Sequence, residues 1–376
     1  MPEIDNNQQA FYALLKAGLW EREAGISRFG KIDYSAIMQL SEEQSVVGLV
    51  TAGLEKVVDV KVPKEEALQF AGEVMQLEQR NTAMNKYIGV IVDKLRAADI
   101  YTLLVKGQGI AQCYERPLWR ACGDIDLFLS EDNYKKAADL LIPIATSVDE
   151  EDDYNQHLSM TIAPWVVELH GTLRSRLWWR IDRVLDEVQR DVFYGGKVRS
   201  WMNGHTQVFL PNADEDVVFV FSHILQHFYK EGIGLRQICD WCRLLWTYRE
   251  TIDRKLLEKR LRMMGVMTEW KSFAALAVDY LGMPVEAIPY YSDSRKWSRK
   301  AQKIMTFILE TGNFGHNRDY SYYKKYPFVV FKAISFWRHI KDFGRYFVIF
   351  PLDAIKITWT RICHGFFVVL QGKKHE

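Results

Sequence analysis

Gly123-Asp124-Ile125-Asp126-Leu127-Phe128-Leu129 is the stretch on which the fold turns. Apolar residues bound two carboxylates one position apart, a pattern that predicts a strand. In a strand, residues i and i+2 point to the same face, about 7 Å apart along the chain. Side chains so placed can converge on metal ions held about 4 Å apart, the geometry of two-metal phosphoryl chemistry. Val166-Val167-Glu168-Leu169-His170 predicts a second strand with a carboxylate inside an apolar run. Three acids on two strands repel one another unless a cation lies between them, which argues for Mg2+.

The surroundings extend this reading. Upstream, residues 101–105 (YTLLV) read as a short buried strand that runs into the turn Lys106-Gly107-Gln108-Gly109 and a helix over 110–114. Downstream, residues 132–141 read as a helix started by an Asp or Asn cap. The acidic run Asp149-Glu150-Glu151-Asp152-Asp153 reads as a solvated loop. Residues 158–162 and 165–170 suggest a hairpin, and 197–210 is β-rich. Strands interleaved with helices over some hundred residues predict an α+β core with a small mixed sheet. Helical spacing precedes it over 8–95, with one long amphipathic pattern over 65–98, and follows it over 215–281 and 298–309. The expected division is therefore 1–95 helical, 96–211 core, 212–318 helical, and 319–376 a basic aromatic tail.

The totals narrow the classes. The chain has 376 residues, with Lys+Arg 49 against Asp+Glu 48 and a formal charge of +1. That balance lacks the basic excess of a protein that wraps long nucleic acid. Five cysteines are scattered, and the Cys239-x-x-Cys242 pair lies in a helical pattern without a second pair, so both read as ordinary buried thiols. The start MPEIDNNQQA carries neither a basic n-region nor an apolar h-region, so the expected compartment is cytoplasmic. No window of about 20 residues is free of charge, which argues against a conventional span. The tail over 320–376 carries ten Lys/Arg and three Asp/Glu among aromatics that include Phe331, Phe336, Trp337, Phe347, Trp359, Phe366 and Phe367. A basic aromatic helix either lies in an anionic membrane interface, here the inner membrane face, or packs its aromatics on the protein.

Lys106-Gly107, a short helix, Arg120 and Gly123-Asp124-Ile125-Asp126 together resemble the bacterial, uncharacterised-type nucleotidyltransferase family of the polymerase-β-like superfamily. The resemblance continues at Glu168-Leu169-His170, His223-x-x-x-His227, Leu235-Arg236-Gln237-Ile238-Cys239-Asp240 and Gly312-Asn313-Phe314-Gly315, and so spans about residues 65–315. It implies a nucleotidyltransferase-fold core and transfer of a nucleoside monophosphate from an NTP such as ATP to a hydroxyl-bearing acceptor. One departure stands out: Lys106-Gly107 occupies the place of the superfamily's glycine-serine turn. A lysine meets phosphate as a point charge, whereas a serine hydrogen-bonds.

In this reading Asp124, Asp126 and Glu168 are the catalytic residues and the ligands of two Mg2+ ions. Lys106 and Gly107, at a strand-to-helix turn, face the phosphates, and Arg120 can pair with phosphate oxygens. His223, Arg236 and Asp240 join the nucleotide site on the strength of the resemblance, although Arg236 and Asp240 at i, i+4 also read as an intrahelical ion pair. His170 reads as a core histidine or as a support for Glu168, and His227 shares a helix face with His223. The residues do not identify the acceptor: small molecule, lipid, peptide and protein stay open. The competing reading is a non-catalytic nucleotide- or partner-binding protein of the same fold, docked at a membrane surface by its tail.

Overall fold

The computed structural model describes residues 5–151, 156–230, 232–313 and 328–370. Asp152, Asp153, Phe314 and Gly315, and the side chains of Phe331, Phe336, Phe366 and Phe367, lie outside the described residues.

The centre is a mixed five-stranded sheet in the order β1-β2-β5-β4-β3. Its strands are β1 (Thr102–Val105), β2 (Asp124–Leu129), β3 (Ser147–Val148), β4 (His157–Ile162) and β5 (Trp165–His170). β2 and β5 run parallel, and the other pairs are antiparallel. The odd-numbered Ile125, Leu127 and Leu129 of β2 and Trp165, Val167 and Leu169 of β5 are buried, as are Leu158, Met160 and Ile162 of β4. They pack on Met84, Ile88, Ile91, Val92 and Leu95 of the long helix α4 (Lys64–Ala97) and on Tyr134, Ala137, Ala138 and Leu141 of α6 (Glu131–Leu141). Burying one such aliphatic side chain is worth about 1.5–3 kcal/mol. A one-residue slip would turn the whole row to the other face. The register that hides the aliphatics therefore fixes the carboxylates on the opposite face.

That opposite face looks toward the helices. Leu103, Val105 and Phe128 join a second and larger core that is otherwise almost entirely helical. It includes α1 (Asn6–Trp20), α2 (Tyr34–Glu43), α7 (Trp179–Tyr194), α8 (Ala213–Lys230), α9 (Leu235–Thr247), α11 (Met267–Leu281) and α12 (Arg295–Thr311). The helices before the sheet and those after it thus share one interior. Trp20 Nε1 donates to the Leu281 carbonyl at 2.6 Å, and Lys16 Nζ to the Asp279 carbonyl at 2.9 Å.

Several local expectations need correction. The helix expected over 110–114 is α5, Gly107–Ala111, and begins directly on the turn glycine. α6 starts after Ser130, whose side chain makes no capping bond, so an Asp or Asn cap is not what starts it. α7 was not predicted, although its buried Ile181, Val184, Leu185, Val188 and Val192 follow helical spacing. The β-rich stretch over 197–210 is a separate hairpin, β6 (Val198–Asn203) with β7 (Thr206–Pro211). The tail forms α13 (Phe328–Ile349) and α14 (Pro351–Leu370). Its seam of Tyr346, Ile349, Phe350, Ala354 and Ile357 is buried in the helical core. Among the described residues no helix is long and apolar enough to cross a membrane.

Candidate active site

β1 ends at Val105, which pairs with Asp126 across the antiparallel ladder. The chain then turns sharply. Lys106 has φ 56° and ψ −147°, a conformation that costs an L-residue of order 1–3 kcal/mol. Gly107 follows at φ +42°, where an added Cβ would come 3.2 Å from Cys122 Sγ, so glycine suits the position on both counts. The turn brings Lys106 Nζ to 2.6 Å from Asp126 Oδ1.

In the parallel β2–β5 ladder Asp126 is the direct partner of Glu168, and Phe128 that of His170. In the β4–β5 hairpin His157 is opposite His170. These registers gather Asp126, Glu168, His157 and His170 on one patch of the sheet. His170 Nε2 lies 2.8 Å from Asp126 Oδ1 and 3.5 Å from Glu168 Oε2, and His157 Nε2 lies 3.2 Å from the same glutamate oxygen.

The electrostatics follow from this crowding. Burial by itself would raise Asp126, but the Lys106 ammonium and the His170 hydrogen bond outweigh it and hold the carboxyl below its usual range. Glu168 is pulled well down despite burial, by hydrogen bonds to His157 and His170 and by Lys106. Asp124 moves the other way, raised by the charge of Asp126 and by burial. Lys106 stays charged because Asp126, Glu168 and Asp124 together overcome its desolvation. The site is a nest of alternating charge in which Asp124 is the acid left short of positive partners.

Arg120 and Asp240 line the same cleft, and they meet each other there. Arg120 Nε and Nη2 donate to the two oxygens of Asp240 at 3.0 and 2.6 Å, and Tyr114 Oη donates to Asp240 Oδ1 at 2.7 Å. Arg236 Nη1 donates to the Ala121 carbonyl at 2.9 Å. These contacts tie the loop before β2 to α9 and so brace Asp124. His223 also lines the cleft, with its Nε2 3.0 Å from that of His227, and burial and Lys106 keep it neutral. Cys239 and Cys242 are fully buried.

The cleft between Lys106, Asp124, Asp126, His223 and Arg236 encloses only about 50 Å3. A larger cavity, about 500 Å3, lies between the start of α6 and α7, lined by Arg174, Arg183, Asp186 and Arg190. None of the carboxylates on the sheet reaches that cavity, so chemistry rather than size selects the small cleft. The residue that sequence reasoning missed is His157. Counting outward from the Ala163-Pro164 turn, with Ile162 opposite Trp165, places it across from His170.

No curated protein and no solved structure matches the chain. A family model described as an uncharacterised nucleotidyltransferase matches residues 30–282, which include every carboxylate, lysine and histidine of the cleft. The match begins within the N-terminal helices and ends just after α11, so it covers the sheet and most of the helical body. The chain is a member of this family of uncharacterised nucleotidyltransferases.

Proposed function

We propose that the protein transfers a nucleoside monophosphate from an NTP to a hydroxyl-bearing acceptor, with Asp124, Asp126 and Glu168 holding two Mg2+ ions. The observation that carries this is the pairing of Asp126 with Glu168 on parallel strands, with Asp124 on the same face two residues earlier. The donor set fits a hard cation: three carboxylates share one lysine, and Asp124 is raised by its neighbour's charge. When bound, Mg2+ supplies charge neutralisation at the phosphates and alignment for in-line displacement.

The chain's own residues do the rest. Lys106 Nζ stands over Asp126, where it can pair with a phosphate oxygen as readily as with the carboxylate. His170 fixes the rotamer of Asp126 through its 2.8 Å contact. The Arg120–Asp240 pair orients the loop that delivers Asp124 rather than presenting a free guanidinium to phosphate. A ligand of nucleotide size occupies several hundred Å3. The donor therefore needs the wall of α8 and α9 to part from the sheet, or its base to lie at the mouth of the cleft.

Thermal shifts with each NTP, with and without Mg2+, test the reading. Ligand at about 100 times Kd adds roughly 2.7 kcal/mol to the folded state. A Mg2+-dependent shift that disappears in the Asp124→Asn/Asp126→Asn double variant, with pyrophosphate release on adding acceptor, is the expected result. NTP binding without pyrophosphate release for any acceptor class would move the protein to the non-catalytic reading.

A second proposal concerns the tail. Trp337, Val348, Leu352, Ile355 and Trp359 expose more than half of their surface along α13 and α14. The segment that carries them has ten Lys/Arg and three Asp/Glu over residues 320–376. Exposed aromatics on a basic helix pair match an anionic lipid surface. Flotation with phosphatidylserine vesicles but not with neutral ones, reduced in Trp337→Ser/Trp359→Ser, is the expected outcome. Equal behaviour on both vesicles would remove the lipid and leave a protein partner.

A further inference from the structure

The sheet patch holds a second donor set that overlaps the carboxylate site only at Glu168. His157, Glu168 and His170 each present a ligand atom within 4.8 Å of the others. Two of the separations are 3.2 Å (His157 to Glu168) and 3.5 Å (His170 to Glu168). Nitrogen and oxygen donors bound at about 2.0–2.1 Å to one tetrahedral ion stand about 3.3–3.4 Å apart. The two measured separations bracket that value. All three residues sit on strands, so the backbone registers, rather than loops, set the spacing.

The donor types are as informative as the spacing. Mg2+ prefers oxygen and keeps much of its water. Two imidazoles and a carboxylate instead suit the first-row transition ions from Mn2+ to Zn2+. We infer that His157, Glu168 and His170 bind such an ion, which makes Glu168 the shared edge between a nitrogen-rich site and the Asp124/Asp126 site. Each ring would give the ion a nitrogen lone pair, so any proton on the ligating nitrogen would move to the other ring nitrogen or to solvent. Asp126 Oδ1, 2.8 Å from His170 Nε2, is then the nearest link between the two sites.

This inference rests on the proposed function only in sharing Glu168 with it. The test uses the full chain, stripped with a chelator and titrated calorimetrically with Zn2+, Mn2+ and Mg2+ separately. Wild type should take up Zn2+ more tightly than Mg2+. His157→Gln, which removes a ligand, should weaken Zn2+ binding by at least about 10-fold, the least that loss of an outer partner costs. His157→Asp, which restores a ligand, should recover part of that loss, as a misfolded protein would not. His205→Gln, in the exposed turn between β6 and β7, should bind Zn2+ as wild type does, because it lies outside the trio. Zn2+ binding indifferent to His157, or lost equally in His205→Gln, would overturn the site. If only the proposed function fails, Zn2+ still binds through His157 while no NTP gives a Mg2+-dependent shift. If only this inference fails, that shift persists and Zn2+ ignores His157.

Discussion

Asp126 and Glu168 on the sheet, and Glu269 beneath the C-terminal helix, are all withdrawn from water, yet their proton affinities move in opposite directions. Around the first pair, Lys106, His157 and His170 reverse the effect of burial and hold both carboxyls low. Glu269 of α11 is raised well above the usual range, first by burial and then by the charge of Asp353. Its neighbours are Tyr229, whose Oη donates to it at 3.3 Å, and Asp353 of α14, with which it shares a hydrogen bond. Asp126 and Glu269 are equally deep and Glu168 is half-buried, so the neighbours rather than depth set the direction. An acid supplied with cations at a cleft is arranged to keep its negative charge, whereas an acid facing another acid carries a proton and serves packing.

A fourth acid, Asp240, calibrates the comparison. Asp240 is matched one to one by Arg120, and both are almost fully buried. Asp240→Ala strands that guanidinium and should cost about 3–5 kcal/mol of stability in denaturant unfolding. A cost below about 1 kcal/mol would mean that water reaches Arg120 and that the brace on Asp124 is weak.

Asp126→Asn comes next, with its effect on function. Transfer activity should fall on the order of 10²–10³-fold, or about 3–4 kcal/mol of transition-state stabilisation. Near-normal activity would place the sheet acids in the same structural class as Glu269.

Glu269→Gln probes the other side. Because the folded state keeps a proton on Glu269 that the unfolded chain releases near pH 4.5, stability falls as pH rises from there toward the raised folded value. The slope is about 1.4 kcal/mol per pH unit while that proton is held. Unfolding curves taken upward from pH 5 should fall more steeply in wild type than in Glu269→Gln, and the difference between the two is the contribution of Glu269. Equal slopes in the two proteins would break the comparison.

The smallest effect on stability belongs to the exposed tail. Trp359→Ser should change it by less than about 0.5 kcal/mol, while vesicle binding drops.

The strand pattern around Asp124 and Asp126 was legible because alternation has a period of two and strands hide one face. Glu168 was legible for the same reason, standing in an apolar run. α7 was equally visible in principle, since Ile181, Val184, Leu185, Val188 and Val192 keep helical spacing. What escaped was partnership. Arg120 and Asp240 are 120 residues apart: alone, Arg120 reads as a charge free to meet a phosphate and Asp240 as the i, i+4 partner of Arg236. His157 is eleven residues from Glu168 and meets it only through the hairpin register. Glu269 and Asp353 gave no sign at all, because nothing local marks two distant helices as neighbours.

The sequence by itself determined which faces are apolar, where strands give way to helices, and that acidic residues would crowd one sheet face. Those are local properties, set by side-chain type and spacing. The tertiary structure alone decided which acid keeps its charge, which arginine is already spent, and which histidines stand beside Glu168. Such outcomes depend on desolvation and on charges a few ångströms away, and proximity between distant residues is created only when the chain packs.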